Sequence, residues 1–112
     1  MTKTDNAFIS KAKKIIEDLS SKIESIDLQC KLEIDFLDDV LTIDTPSGQF
    51  VVNQNAPVQQ IWLSSPVSGP HHFKCVDGVW VNKEGQNLHI ILPSEISAIL
   101  NIETLKDPYI KP

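Results

Sequence analysis

Apolar residues recur at Phe8, Ala12, Ile15, Ile16, Leu19, Ile23 and Ile26, mostly at spacings of three and four. At about 100° per residue they fall on one face, which predicts an amphipathic helix of about six turns. Asp5 is the expected N-cap near its start. From Cys30 the period changes to two. Cys30, Leu32, Ile34 and Phe36 alternate with Lys31, Glu33 and Asp35, the pattern of a half-buried strand with a charged outer face. Asp38-Asp39 reads as a tight turn, and Val40 to Asp44 as the returning strand. Pro46-Ser47-Gly48 turns the chain again into a third strand, Gln49 to Asn53. Ile61 to Leu63, His72 to Val76 and Val79 to Val81 follow as strands, the last pair joined by the hairpin dipeptide Asp77-Gly78.

Helical spacing returns at Leu88, Ile91, Leu92, Ile96, Ile99 and Leu100, interrupted by Pro93. A proline there either kinks the helix or starts it, with residues 88–92 then extended. Beyond Asn101, the residues available to pack are Leu105, Tyr109 and Ile110. Helix, about six strands in hairpin succession, then helix predicts an antiparallel sheet with both helices on one face. That is a two-layer α+β sandwich, read as a single domain over residues 1–112. Its other sheet face is left to solvent.

Composition narrows the function. The 112 residues carry a net charge of −5, and all ten cations are lysines. An acidic chain without arginine lacks the basic face of a nucleic-acid binder. Cys30 and Cys75 stand 45 positions apart with no Cys-x-x-Cys motif, so a zinc knuckle and a dithiol redox motif are excluded and a reducing compartment is expected. No apolar run reaches membrane-span length, and Met1 to Asn6 shows no signal-peptide core. The expectation is a mature soluble protein, or one already trimmed.

The charge is unevenly distributed. From Glu17 to Asp44 nine acids face only Lys22 and Lys31, a net of −7, whereas Thr45 to Asn82 holds one lysine and one aspartate among many amides and both tryptophans. Glu33 and Asp35 share a strand face roughly 7 Å apart. Glu17 and Glu24 share the helix face opposite the apolar stripe. Such carboxylates suit hard, partly hydrated metal ions. The same pattern also describes a solvated face, in which Asp18 pairs with Lys22 four residues on. Trp62, flanked by Asn53 and Gln60, reads as an interface anchor, and Trp80 as core. His71 and His72 are adjacent, so on a strand they point to opposite faces and cannot share a metal. Cys30 falls on the apolar side of its strand and is expected to be buried and inert, and Cys75 has no helper nearby in sequence.

The run Asn53-Gln54-Asn55-Ala56-Pro57-Val58-Gln59-Gln60-Ile61-Trp62-Leu63-Ser64-Ser65-Pro66-Val67-Ser68-Gly69-Pro70 resembles the signature of the frataxin family, whose bacterial members are called CyaY. Val40 to Ile43, Gly78-Val79-Trp80 and Leu88-His89 extend the resemblance over nearly the whole chain. It implies the α-β sandwich already reached, and a protein of iron–sulfur cluster assembly that binds Fe2+ or Fe3+ weakly and labilely, with no organic cofactor. It also implies docking on the complex of cysteine desulfurase and scaffold protein. Carried over by position, Glu17, Asp18, Glu24 and Asp27 stand in the helical part of an iron-binding acidic ridge, and Glu33 and Asp35 in its strand part. Ser20, Ser21, Gln29 and Lys31 depart from that acidic pattern, which implies a lower iron capacity. Asn53, Gln60 and Trp62 match partner-contacting residues; Asn55 stands where glutamine is common and Val58 where asparagine is. His71 and His72 replace a basic pair, and His72 keeps a place among the partner contacts. The resemblance implies a non-enzyme and a monomer with iron-induced oligomers, the alternative being ferroxidase or iron-storage activity on the ridge. The implied location is the bacterial cytoplasm, or the mitochondrial matrix for a trimmed eukaryotic protein.

Overall fold

The computed structural model describes the chain over residues 3–106 and its side chains over residues 6–102. Tyr109 and Ile110 lie outside the described residues, as does the side chain of Leu105. Helix α1 (Lys3–Ile26) is followed by six strands: β1 (Glu33–Leu37), β2 (Val40–Thr45), β3 (Gly48–Asn55), β4 (Gln60–Ser65), β5 (Gly69–Val76) and β6 (Val79–Val81). Helix α2 (Leu88–Lys106) closes the order. The sheet runs β1-β2-β3-β4-β5-β6 with every pairing antiparallel. Two-residue hairpins of type I′ need left-handed backbone at both turn positions. Asp38 (φ 53) with Asp39 (φ 63), and Asp77 (φ 51) with Gly78 (φ 80), supply it.

Burial follows the sequence periods. Phe8, Ala12, Ile16, Leu19 and Ile23 of α1 and Leu88, Leu92, Ile96 and Ile99 of α2 are buried against Leu41, Ile43, Phe50, Val52, Ile61, Leu63, Phe73 and Trp80 of the sheet. Ile15, Ile26, Ile91 and Leu100 are half-buried at the margin of this core. Trp80 is core, 2% exposed, with its ring edge-on to Phe8 at 6.1 Å.

Two expectations change, and one open alternative is decided. Asp5 is not the N-cap of α1, because the helix already runs from Lys3, with no glycine or proline to delay its start. The strand alternation does not reach back to Cys30. The Asp27 carboxylate accepts hydrogen bonds from the Lys31 and Leu32 amides at 2.7 and 3.0 Å, which holds residues 27–32 in a loop. Cys30 therefore sits at φ 53, exposed, and β1 begins at Glu33. Finally, α2 starts at Leu88 and runs through Pro93, so residues 88–92 are helical. Asn87 caps it: its side-chain oxygen accepts from the His89 amide at 2.8 Å. Pro93, the sixth helical residue, gives up one amide donor that would have reached the carbonyl of His89.

Candidate functional site

Strand alternation decides which side chains reach the sheet face that the helices leave open. Register places Leu37, Val40, Asn53, Trp62 and His72 in one row across β1 to β5. Asp35, Thr42, Val51, Ser64 and Pro70 form the next row, and Asn55 stands opposite Gln60. Their sequence neighbours Leu41, Val52, Ile61, Leu63 and Phe73 are buried on the helix side, which fixes the open-face assignment.

Trp62 is the largest side chain of this face and is half-buried rather than free. Its indole stacks on the His72 imidazole, with centroids 4.2 Å apart and planes 13° from parallel. Its Nε1–H donates to Gln60 Oε1 at 2.8 Å. Gln60 thus orients the tryptophan, and Asn53 flanks it from β3. Beside His72 the face dips into a groove of about 610 Å³ lined by Gln60, His72, Lys74, Asn82 and Lys83, among others. The face is acidic along β1, and the groove at its other end has Lys74, Lys83 and Glu84 in its lining.

The six ridge carboxylates do not behave alike. Glu33 and Asp35 are exposed on edge strand β1, and Glu17 and Glu24 are exposed on α1. The carboxylates of these four make no hydrogen bond or ion pair among the described residues. Asp18 pairs with Lys14 at 3.2 Å, one turn earlier, and not with Lys22. Asp27 is half-buried and already bonded to two backbone amides, so its carboxylate serves the loop. Among the described residues no three His, Cys, Asp or Glu side chains converge to hold an ion. Near Asp18 and Lys22 of α1 lies His89, half-buried on α2. Burial holds its pKa below the ordinary histidine value, and Lys22 adds to that, while Asp18 opposes it.

His71 and His72 do point to opposite faces. His71 joins a network that the sequence did not reveal. Asn82 Oδ1 accepts from the Glu84 and Gln86 amides at 3.1 and 2.9 Å, so its Nδ2 must face outward. That Nδ2 donates to Gln86 Oε1 at 2.9 Å and to His71 Nδ1 at 3.1 Å. With Nδ1 accepting, the ring proton is on Nε2, which donates to Ser68 Oγ at 2.7 Å. Ser68, His71 and Asn82 resemble a nucleophilic triad in composition, but the proton points toward the serine, the reverse of what a general base needs. The network ties the loop after β6 to β5, and so forms one wall of the groove.

Comparison with known proteins agrees with this architecture. Residues 1–102 match the frataxin-like domain family. The chain is 39% identical over 87 residues to the mitochondrial frataxin homolog of Drosophila melanogaster, covering 69% of this chain and 46% of that protein. To the mitochondrial frataxin-like protein of Leishmania donovani it is 36% identical over 83 residues, covering 73% of this chain and 42% of that one. The chain thus spans less than half the length of these curated relatives. Trimeric frataxin from the yeast Saccharomyces cerevisiae, crystallised in complex with ferrous iron, superposes with a TM-score of 0.63 at 28% identity, covering 90% of this chain and 88% of that one.

Proposed function

Because the chain belongs to the frataxin family, we propose that it is an iron-binding protein that docks on a cysteine desulfurase–scaffold complex and modulates iron–sulfur cluster assembly. The observation that carries the docking reading is Trp62. A tryptophan pinned by a stack and a hydrogen bond on an open sheet face presents a rigid apolar surface, and such residues dominate interface energies. Asn53, Asn55, Gln60 and His72 surround it with hydrogen-bonding groups at little charge. In this reading the acidic edge steers the complex onto a basic partner surface while the Trp62 row makes the contact.

Iron is cargo here. Glu17, Glu24, Glu33 and Asp35 bind it as exposed, monodentate oxygen donors, consistent with weak and labile binding by separated carboxylates. Asp18 joins only by leaving Lys14, and Asp27 only by releasing its loop amides. The ferrous complex of the yeast relative supports an iron-related role for the family. The mitochondrial relatives favour the mitochondrial matrix as the site of action, and the yeast trimer favours assembly beyond a monomer.

The test is sulfide production by a cysteine desulfurase–scaffold complex, with and without this protein and iron. The protein should change the rate, and Trp62→Ala should remove the change; an unaltered rate with the wild-type chain refutes docking. Anaerobic Fe(II) titration followed by amide NMR tests the ridge. Signals around Glu17, Glu24, Glu33 and Asp35 should move first, and spectra that stay fixed there refute the iron reading. Catalytic oxygen consumption on Fe(II) addition, lost when Glu33 and Asp35 become amides, would favour the ferroxidase alternative.

A further inference from the structure

The sheet has two edges, and they differ. β6 is three residues long, and the loop after it folds back along its free side. Val81 bridges to Asn87, and Asn82 Oδ1 accepts from the Glu84 and Gln86 amides. β1 is five residues long, contains no proline, and pairs with β2 alone. Its hairpin fixes which backbone groups are left over. Across the two-residue turn, Leu37 and Val40 are the hydrogen-bonded closing pair. Bonded and non-bonded pairs alternate from there, so Asp35 and Glu33 bond to β2 while the N–H and C=O of Ile34 and Phe36 point outward. Among the described residues no turn or loop backbone group bonds to them.

The side chains show the same open edge. Ile34 and Phe36 stand beside Ile43 and Leu41 of β2 on the helix side. Ile43 and Leu41 are 0% exposed, whereas Ile34 and Phe36 are only half-buried. The apolar core therefore runs out to the edge without a cover. On the other face Glu33, Asp35 and Leu37 are exposed. An open edge is a template for a further strand, and charge at every second position selects which strand. A second copy of this chain is disfavoured, because antiparallel registers centred on Ile34 or on Asp35 set carboxylate opposite carboxylate.

We propose that β1 is a strand-addition site for an extended segment of a partner protein in which lysine or arginine alternates with apolar residues. The segment's main chain bonds to Ile34 and Phe36, its apolar side chains cover those two, and its basic side chains lie beside Glu33 and Asp35. The inference deepens the docking reading, on which it rests only for the existence of a partner.

The test needs no desulfurase. A short capped peptide alternating lysine with valine is titrated into the isotope-labelled wild-type protein, in chelator so that no iron occupies Glu33 and Asp35. At saturation the Ile34 and Phe36 amides should shift, and their hydrogen exchange should slow about tenfold or more. The same peptide N-methylated at its valines keeps its side chains and charge but cannot donate to β1. It should bind about tenfold more weakly, the loss expected for two main-chain hydrogen bonds. Glu33→Gln combined with Asp35→Asn should weaken the unmodified peptide about fivefold, as two exposed cross-strand charge pairs are lost. Equal binding by the N-methylated peptide, equal binding by a peptide with its lysines and valines in separate blocks, or unchanged exchange at Ile34 and Phe36 would overturn the proposal. The peptide arms use the wild-type chain, so they decide whatever the folding of the variant. Trp62 lies on β4, so failure here leaves the desulfurase assay and its Trp62→Ala arm to be judged separately.

Discussion

Trp62 and Trp80 sit eighteen positions apart on the same sheet, and truncating each should separate function from stability. Trp62→Ala removes one stacked aromatic pair and one hydrogen bond to a partly exposed amide. The stack contributes about 0.5–1.5 kcal/mol and the hydrogen bond about 0.5 kcal/mol at such a site. The sum is a loss of about 1–2 kcal/mol. In a domain of slightly more than one hundred residues that lowers Tm by about 4–8 °C. Trp80→Ala empties a site 2% exposed, walled by Phe8 and closed by Lys11, and should cost about 3–5 kcal/mol. Urea denaturation followed by circular dichroism gives both numbers, and the desulfurase assay gives the functional consequence. Trp62→Ala should fold and fail to act. Trp62→Phe should keep most of the stack and recover part of the activity, because the lost indole N–H is bonded within the protein. A Trp62→Ala loss of 3 kcal/mol or more would show that the indole is a core residue and that its apparent exposure misleads. A stable, fully active variant would remove Trp62 from the partner face.

Two further predictions distinguish structural from ligand-facing groups. Asp27→Ala should destabilise by about 1–2 kcal/mol, since two backbone amides lose their acceptor, while Glu24→Ala should stay within about 0.5 kcal/mol of wild type in the same urea titration. His89, whose pKa is lowered by burial and Lys22, takes up its proton more readily in the unfolded chain than in the folded one. Its contribution to stability is therefore complete above the unfolded pKa and falls away as pH drops toward the lowered folded value. The urea midpoint of the wild type should fall between pH 7.5 and pH 5 more steeply than that of His89→Gln, and identical slopes would refute that assignment.

The fold was legible because nearly every element announces itself by a period. The Phe8 to Ile26 stripe and the alternation through Ile34, Ile43, Val52, Leu63 and Phe73 put one apolar side on each element, and hairpins leave little topological choice. The reading fails at the start of β1, where a side chain overrides the period. Cys30 continues the alternation in sequence, yet the Asp27 carboxylate captures two amides and ends the strand before reaching it. The apolar spacing of α2 persists across Pro93 because a proline in the second turn forfeits a single helical hydrogen bond, less than the packing of Leu88, Leu92 and Ile96 returns.

The same distinction sorts the site. Residue type and spacing found the Trp62 face, since exposure on a sheet is set by the period of two. They did not separate the six ridge carboxylates, because what each can do depends on the neighbour that it meets in space. Asp18 has Lys14, Asp27 has the 31–32 amides, and Glu17, Glu24, Glu33 and Asp35 are left for a ligand. A net charge of −7 over Glu17 to Asp44 therefore overstates the capacity for cations. Of the nine acids in that window, four of the six on the ridge are free to bind without breaking a contact the fold already uses, and two of those four stand on β1, whose alternate side chains share the face of Trp62. If the Trp62 face docks a partner as proposed, iron held at Glu33 and Asp35 would sit at its margin, so cargo and partner would feel one another electrostatically across β1 to β4 without any change of shape.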